Sequence, residues 1–210
     1  MTRDSPHTPR APRHGWGTPR VLVIPGLHDS GPGHWQTWLQ RQYRHARRVH
    51  QQDWHTPDLS TWSARIGEVL DRSAPGTRWV AVAHSFGCLA LAHHLQTRTG
   101  PHPVASALLV APANPEKFEV QDQLPQAGLG IPSVLVGSEN DPWMTLDSAR
   151  LWAHRWGSRF HNHGPVGHIN VESGHGPWIW ARHAVDHMVR DLQRERRLER
   201  AHPLELHYAN

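Results

Sequence analysis

Short apolar, β-branched runs recur along the chain and alternate with longer segments of helical spacing. The runs are "RVLVIP" (20–25), "RWVAVAH" (78–84), "SALLVA" (106–111) and "SVLVGS" (133–138), with weaker ones at 47–52 and 158–163. Between them, Trp35, Trp38 and Leu39 fall at i, i+3 and i+4. Trp62, Ile66, Val69 and Leu70 do likewise, and Leu151, Trp152 and Trp156 make a third set. Near-continuous runs such as "WVAVA" suit strands covered on both faces. Strands alternating with helices predict βαβ units, so the pattern implies a parallel sheet between helical layers. A last helix is expected in "VDHMVRDLQRERRLER", apolar at its start and charged at its end. The pattern shows no internal repeat and no second domain.

Composition narrows this picture. With 210 residues, one domain can bury about two-thirds of its unfolded surface. The 11 tryptophans supply large buried areas. The first residues, 1–19, are rich in Pro, Arg and His and read as a disordered leader without the apolar segment of a secretory signal. The expected division is leader 1–19, catalytic domain 20–192 and charged tail 193–210. The formal charge of +4 is mild, and its excess lies in the leader, at Arg20 and in "RQYRHARR" (41–48). No nucleic-acid-binding signature accompanies it, so no nucleic-acid partner is expected. No run approaches the ~20 apolar residues of a membrane span. The single cysteine, Cys88, precludes an internal disulfide and suits a reducing, cytoplasmic setting.

The strongest chemical signal is "VAVAHSFGCLALAHHL". A buried strand ends at Ser85 and a helix begins at once, the context of a nucleophile elbow. The G-x-S-x-G pattern reads here Ala83-His84-Ser85-Phe86-Gly87. Small residues stand two before and two after the serine, where a tight turn brings backbone close. A serine at such a junction could equally be a plain helix N-cap. Its partners in this architecture follow in the order acid, then histidine. Asp141, just past "SVLVGS", is the candidate acid, with Glu139 its competitor. Asp141 could also serve only as a turn former or a helix cap. The base comes from "RFHNHGPVGHINVESGHGPW". His161 and His163 alternate within the strand and read as structural, His168 lies in the loop beyond it, and His175 is the runner-up. The His-x-His spacing raises a metal site, but no thiolate accompanies it and no metal is expected.

The stretch "VLVIPGLHDSGPGHW" (21–35) empties a strand into a glycine-rich loop. Gly26 and Gly31 match the start of a phosphate-binding loop, but Pro32 and Gly33 stand where its Lys and Ser/Thr belong. The loop instead suits an oxyanion hole, with the Leu27 N–H joining that of Phe86. One such donor is typically worth about 3–4 kcal/mol of barrier. Candidate pocket residues are His28, Trp143 and Trp178. The Phe86 ring is a further candidate wall, and the aromatic ones could equally be core.

From about residue 20 to 185 the chain resembles the small family of YdeN-like bacterial serine hydrolases, which includes a vertebrate retinoblastoma-binding relative. The resemblance rests on "PGLHDSGPGHWQTW", "DWHTPDLSTW", "AHSFGCLAL", "LLVAPANP", "GSENDPW" and "GHINVESGHGPW". It implies an α/β-hydrolase fold, a three-layer α/β/α sandwich with a mostly parallel sheet of about six strands and no lid domain. It implies a triad matching Ser85, Asp141 and His168, with no metal or organic cofactor. The L-x-C-x-E retinoblastoma-binding motif is absent, since Cys88 sits in "GCLAL", so that partner is not carried over. The expected activity is cleavage of small or short-chain acyl esters through that triad, with amides and thioesters as further candidate substrates. The alternative is a non-catalytic interaction module on a hydrolase scaffold.

Overall fold

The computed structural model describes residues 19–100 and 102–205. The leader expected over 1–19 lies outside them except for Pro19, as do the last five residues of the expected tail. Six strands form one parallel sheet: β1 (Arg20–Ile24), β2 (Arg47–Arg48), β3 (Trp79–His84), β4 (Val104–Val110), β5 (Ser133–Gly137) and β6 (Arg159–Asn162). Their order is β2-β1-β3-β4-β5-β6. The weak run at 47–52 contributes only two paired residues at the sheet edge.

The alternation of side chains along each strand divides the core in two. Leu22, Ile24, Ala81 and Ala83 face a layer built by α2 (Leu59–Asp71), α3 (Phe86–Thr97) and α4 (Leu146–Arg155). Val21, Val23, Val80 and Val82 face α1 (Trp35–Arg41) and α5 (Ile179–Glu205). This is a three-layer α/β/α sandwich. In α4 the buried stripe is Ala149, Trp152 and Ala153, continued by Trp156, whereas Leu151 points to solvent. Helix α5 begins at Ile179, earlier than its apolar pattern suggests, because Trp178, Ala181 and Val185 pack on the sheet. It continues unbroken past residue 193, so no backbone break marks the expected start of a tail. Among the described residues, no helix is long and apolar enough to cross a membrane.

The chain runs from β1 out to β2 and then returns across β1 to β3. The strand order therefore reverses between β1 and β3, and the loops leaving their carboxyl ends diverge. In open parallel sheets a crevice forms at such a switch point. Segment 111–132, joining β4 to β5, holds two short 3-10 turns, Pro115–Phe118 and Gln121–Gln123, and no inserted cap domain.

Candidate active site

Ser85 sits at the switch point, between β3 and α3, with φ 53° and ψ −127°. A non-glycine residue rarely adopts this conformation, and it lifts the side chain out of the strand–helix turn. Its neighbours must be small for measurable reasons. A Cβ at Gly26 would stand 2.6 Å from that of Ser85, and one at Gly87 would stand 2.6 Å from the Ile24 carbonyl oxygen. The loop after β1 is thereby held directly against the serine. Among the described residues, nothing accepts a hydrogen bond from the Leu27 or Phe86 backbone N–H.

The structure brings Ser85, His168 and Asp141 together. His168 Nε2 lies 2.9 Å from Ser85 Oγ, and His168 Nδ1 lies 2.9 Å from both Asp141 oxygens. A carboxylate can only accept, so Nδ1 carries the proton and Nε2 is left to accept from the serine hydroxyl. The Asp141 side chain is 2% exposed and also accepts the Trp143 backbone N–H at 2.9 Å. The helix that follows is capped by Thr145, not by Asp141.

Two loops must meet for this contact, and their own polar groups join them. Ser138 Oγ accepts the Val166 N–H at 3.0 Å, and Asn140 Oδ1 accepts the Gly167 N–H at 2.6 Å. Glu139 instead accepts from Asn162 Nδ2 at 2.8 Å. His175 lies against Trp178, ring centroids 5.5 Å apart, and its Nδ1 turns to the Ser173 carbonyl at 3.1 Å rather than to Ser85. His161 and His163 pair with each other at 3.2 Å, and His161 stacks on Trp180.

Two further histidines, which local sequence rules passed over, support the site. His84 is buried and its Nε2–H donates to the His168 carbonyl at 2.9 Å, bracing the backbone that carries the imidazole. Burial, followed by the nearby His168, drives its pKa well below the ordinary value. His34 caps α1, its Nδ1 accepting the Gln36 N–H at 3.1 Å. Histidine is not among the usual capping residues, which is why the pattern hid it. Burial, chiefly, lowers its pKa to about 4.

These neutral, buried rings have a thermodynamic consequence. His34 and, elsewhere in the core, His94 have native values near 4 against an ordinary 6.5, burial being the largest cause for each. Below pH 6.5 the unfolded chain gains protons that the native chain refuses, so stability is full above that pH and declines between 6.5 and 4. Thermal melting should therefore show a lower Tm at pH 5 than at pH 7.5, and His94→Gln should flatten the dependence. A Tm independent of pH over this window would contradict it.

Beside the serine is an open cavity of about 290 Å³, lined among others by Leu27, His28, His34, Ala113, Phe118 and Trp143. Trp143 is 48% exposed at its rim. Two expected walls are not there. Trp178 is buried in an aromatic cluster with Trp35, His163 and Trp180, because α5 begins early enough to carry it onto the sheet. The Phe86 ring is fully buried between Trp62 and Phe118. Phe118, from the first 3-10 turn, takes the place at the wall; nothing local in its sequence marks it. Cys88 is buried in the core, and that burial pushes the pKa of its thiol up.

A parallel sheet flanked by helices, with a serine elbow at the switch point, defines an α/β hydrolase. The chain matches the serine hydrolase family over residues 21–187 and belongs to it. It is 34% identical to a protein of Pectobacterium atrosepticum described as a YdeN-like hydrolase, over 83% of this chain and 92% of that one, with a TM-score of 0.78. The ydeN gene product of B. subtilis shares the fold at 17% identity, covering 80% of this chain and 97% of its own, with a TM-score of 0.68. So does mouse alpha/beta hydrolase domain-containing protein 10, at 14% identity, 84% and 91% coverage and a TM-score of 0.64. No curated protein matches the chain.

Proposed function

We propose that this serine hydrolase cleaves small or short-chain acyl compounds, esters first, through a Ser85–His168–Asp141 triad and an acyl-enzyme. The observation that carries the reading is the unbroken hydrogen-bonded chain from Ser85 Oγ through the imidazole to a buried carboxylate. In this mechanism His168 Nε2 takes the hydroxyl proton as Oγ attacks the acyl carbon. Asp141 holds the tautomer and stabilises the imidazolium. The Leu27 and Phe86 N–H groups, which have no acceptor among the described residues, receive the charge on the carbonyl oxygen. The imidazolium then protonates the departing alkoxide, the carbon–oxygen bond breaks, and water repeats the cycle to release the acid. None of these steps calls for a metal or organic cofactor.

The preference for short acyl groups rests on the open cavity of about 290 Å³ and the uncapped 111–132 connection. Each methylene left in water forgoes about 0.8 kcal/mol of transfer free energy, so lengthening the chain gains little. In a series of p-nitrophenyl esters, kcat/KM should peak at short acyl groups. A steady rise to long chains would refute this substrate assignment.

A further inference from the structure

A second cleft, of about 480 Å³, opens along the β2 edge of the sheet. Arg20 and Trp79, the first residues of β1 and β3, line it, with Arg47 and Arg48 of β2 and with Arg65 and Arg72 at α2. Trp79 precedes Ser85 by six strand residues, which at ~3.3 Å each sets that end of the cleft roughly 20 Å from the nucleophile. Five arginines thus meet in one concavity, opposed by a single lining carboxylate, Glu68. Glu68 is shared between Arg65 and Arg72, at 2.8 and 3.4 Å. Arg48 pairs with Asp29 at 3.0 Å. Among the described residues, no carboxylate pairs with Arg20 or Arg47. Arg47 and Arg48, the end of the basic segment at 41–48, thus line this cleft.

Charge alone would mark only a solvated face. Two buried polar groups of the same cleft indicate more. Trp79 is 1% exposed and Gln51 8%, yet neither the indole Nε1–H nor the Gln51 side-chain oxygen has a hydrogen-bond partner among the described residues. Buried donors and acceptors are ordinarily satisfied, so an unmatched pair in a concave site points to a missing partner. The indole needs an acceptor and the amide oxygen needs a donor. Guanidinium groups select phosphate oxygens for their fork geometry and charge.

We propose that this cleft binds a small phosphorylated, hydroxyl-bearing molecule, such as a sugar phosphate. Its phosphate meets Arg20, Arg47 and Arg72, and its hydroxyl and ether oxygens reach Gln51 and Trp79. The volume lies within the ordinary range for small-molecule sites. Arg48 also donates to Asp29 and to the Ser30 carbonyl, in the loop that carries Leu27, so the cleft adjoins the framework of the hydrolytic site.

Isothermal titration with glucose 6-phosphate, inorganic phosphate and glucose tests this. Glucose 6-phosphate should bind saturably, more tightly than inorganic phosphate, and glucose should not bind. Ser85→Ala should bind equally well, which separates this site from the hydrolytic one. The double variant Arg47→Gln, Arg72→Gln should lose at least tenfold in affinity. Arg41→Gln, Arg44→Gln, neutralised in the same basic segment but outside the cleft, should retain it. Thermal melting of each variant checks that both still fold. Absence of saturable binding, equal loss in both double variants, or loss in Ser85→Ala would each overturn the proposal.

Discussion

Ser85→Ala should abolish labelling by a fluorophosphonate probe and lower kcat on a short-chain p-nitrophenyl ester by roughly 10⁶-fold, the scale seen when a triad nucleophile is removed. In the proposed mechanism the Ser85 hydroxyl forms the acyl bond, and the nearby thiol is not expected to substitute. Cys88 is buried in the core, donates toward the Val110 carbonyl at 3.6 Å, and burial keeps it protonated. Peptide mapping of labelled wild-type protein should find the adduct on Ser85 alone. Removing the hydroxyl leaves the elbow backbone and its packing against Gly26 in place, so the variant should melt close to wild type. A variant that still labels, or an adduct on another residue, would remove the serine from the mechanism.

The second large effect separates two histidines seven residues apart in one loop. His168→Ala should cost on the order of 10⁶ in kcat, because a triad acts as a unit and losing the base costs about as much as losing the nucleophile. His175→Ala should retain turnover within a few fold. His168 spans from Ser85 to Asp141 with 2.9 Å contacts on both sides, whereas His175 turns to the Ser173 carbonyl, 3.1 Å away, and to Trp178. Both variants should be measured with a burst assay as well as at steady state, since in the proposed mechanism the base serves acylation and deacylation alike. Full activity in His168→Ala with loss in His175→Ala would reverse the assignment.

Much of the framework is legible in the linear chain because its causes are local. The runs at 20–25, 78–84 and 133–138 are apolar on both faces, and strands β1, β3 and β5 form there. The 106–111 run is strand as well, but β4 begins two residues earlier, at Val104. The elbow is legible because its strand, turn and helix follow within a dozen residues, although what requires Gly87 is a distant contact, with the Pro25 and Ile24 carbonyls. Polar edge strands carry weaker signals. β2 shrinks to Arg47–Arg48 because one flank suffices to pair it and little hydrophobic burial demands more.

The sequence by itself determined the order of elements, the strand–turn–helix around Ser85 and a short roster of acids and histidines, for these depend on periodicity and on neighbours within one or two turns. Only the tertiary structure decided among that roster. The contact from His168 to Asp141 spans 27 residues and that to Ser85 spans 83, and both depend on how β3, β5 and β6 align in the sheet. The same packing withdrew Trp178 into the core, brought Phe118 to the pocket wall and set His84 beneath His168. It also gathered arginines from β1, β2 and α2 into one cleft. An aromatic ring or a guanidinium has the same letter in a core, a wall or a solvated face, and its role follows from which distant surfaces the fold presses against it.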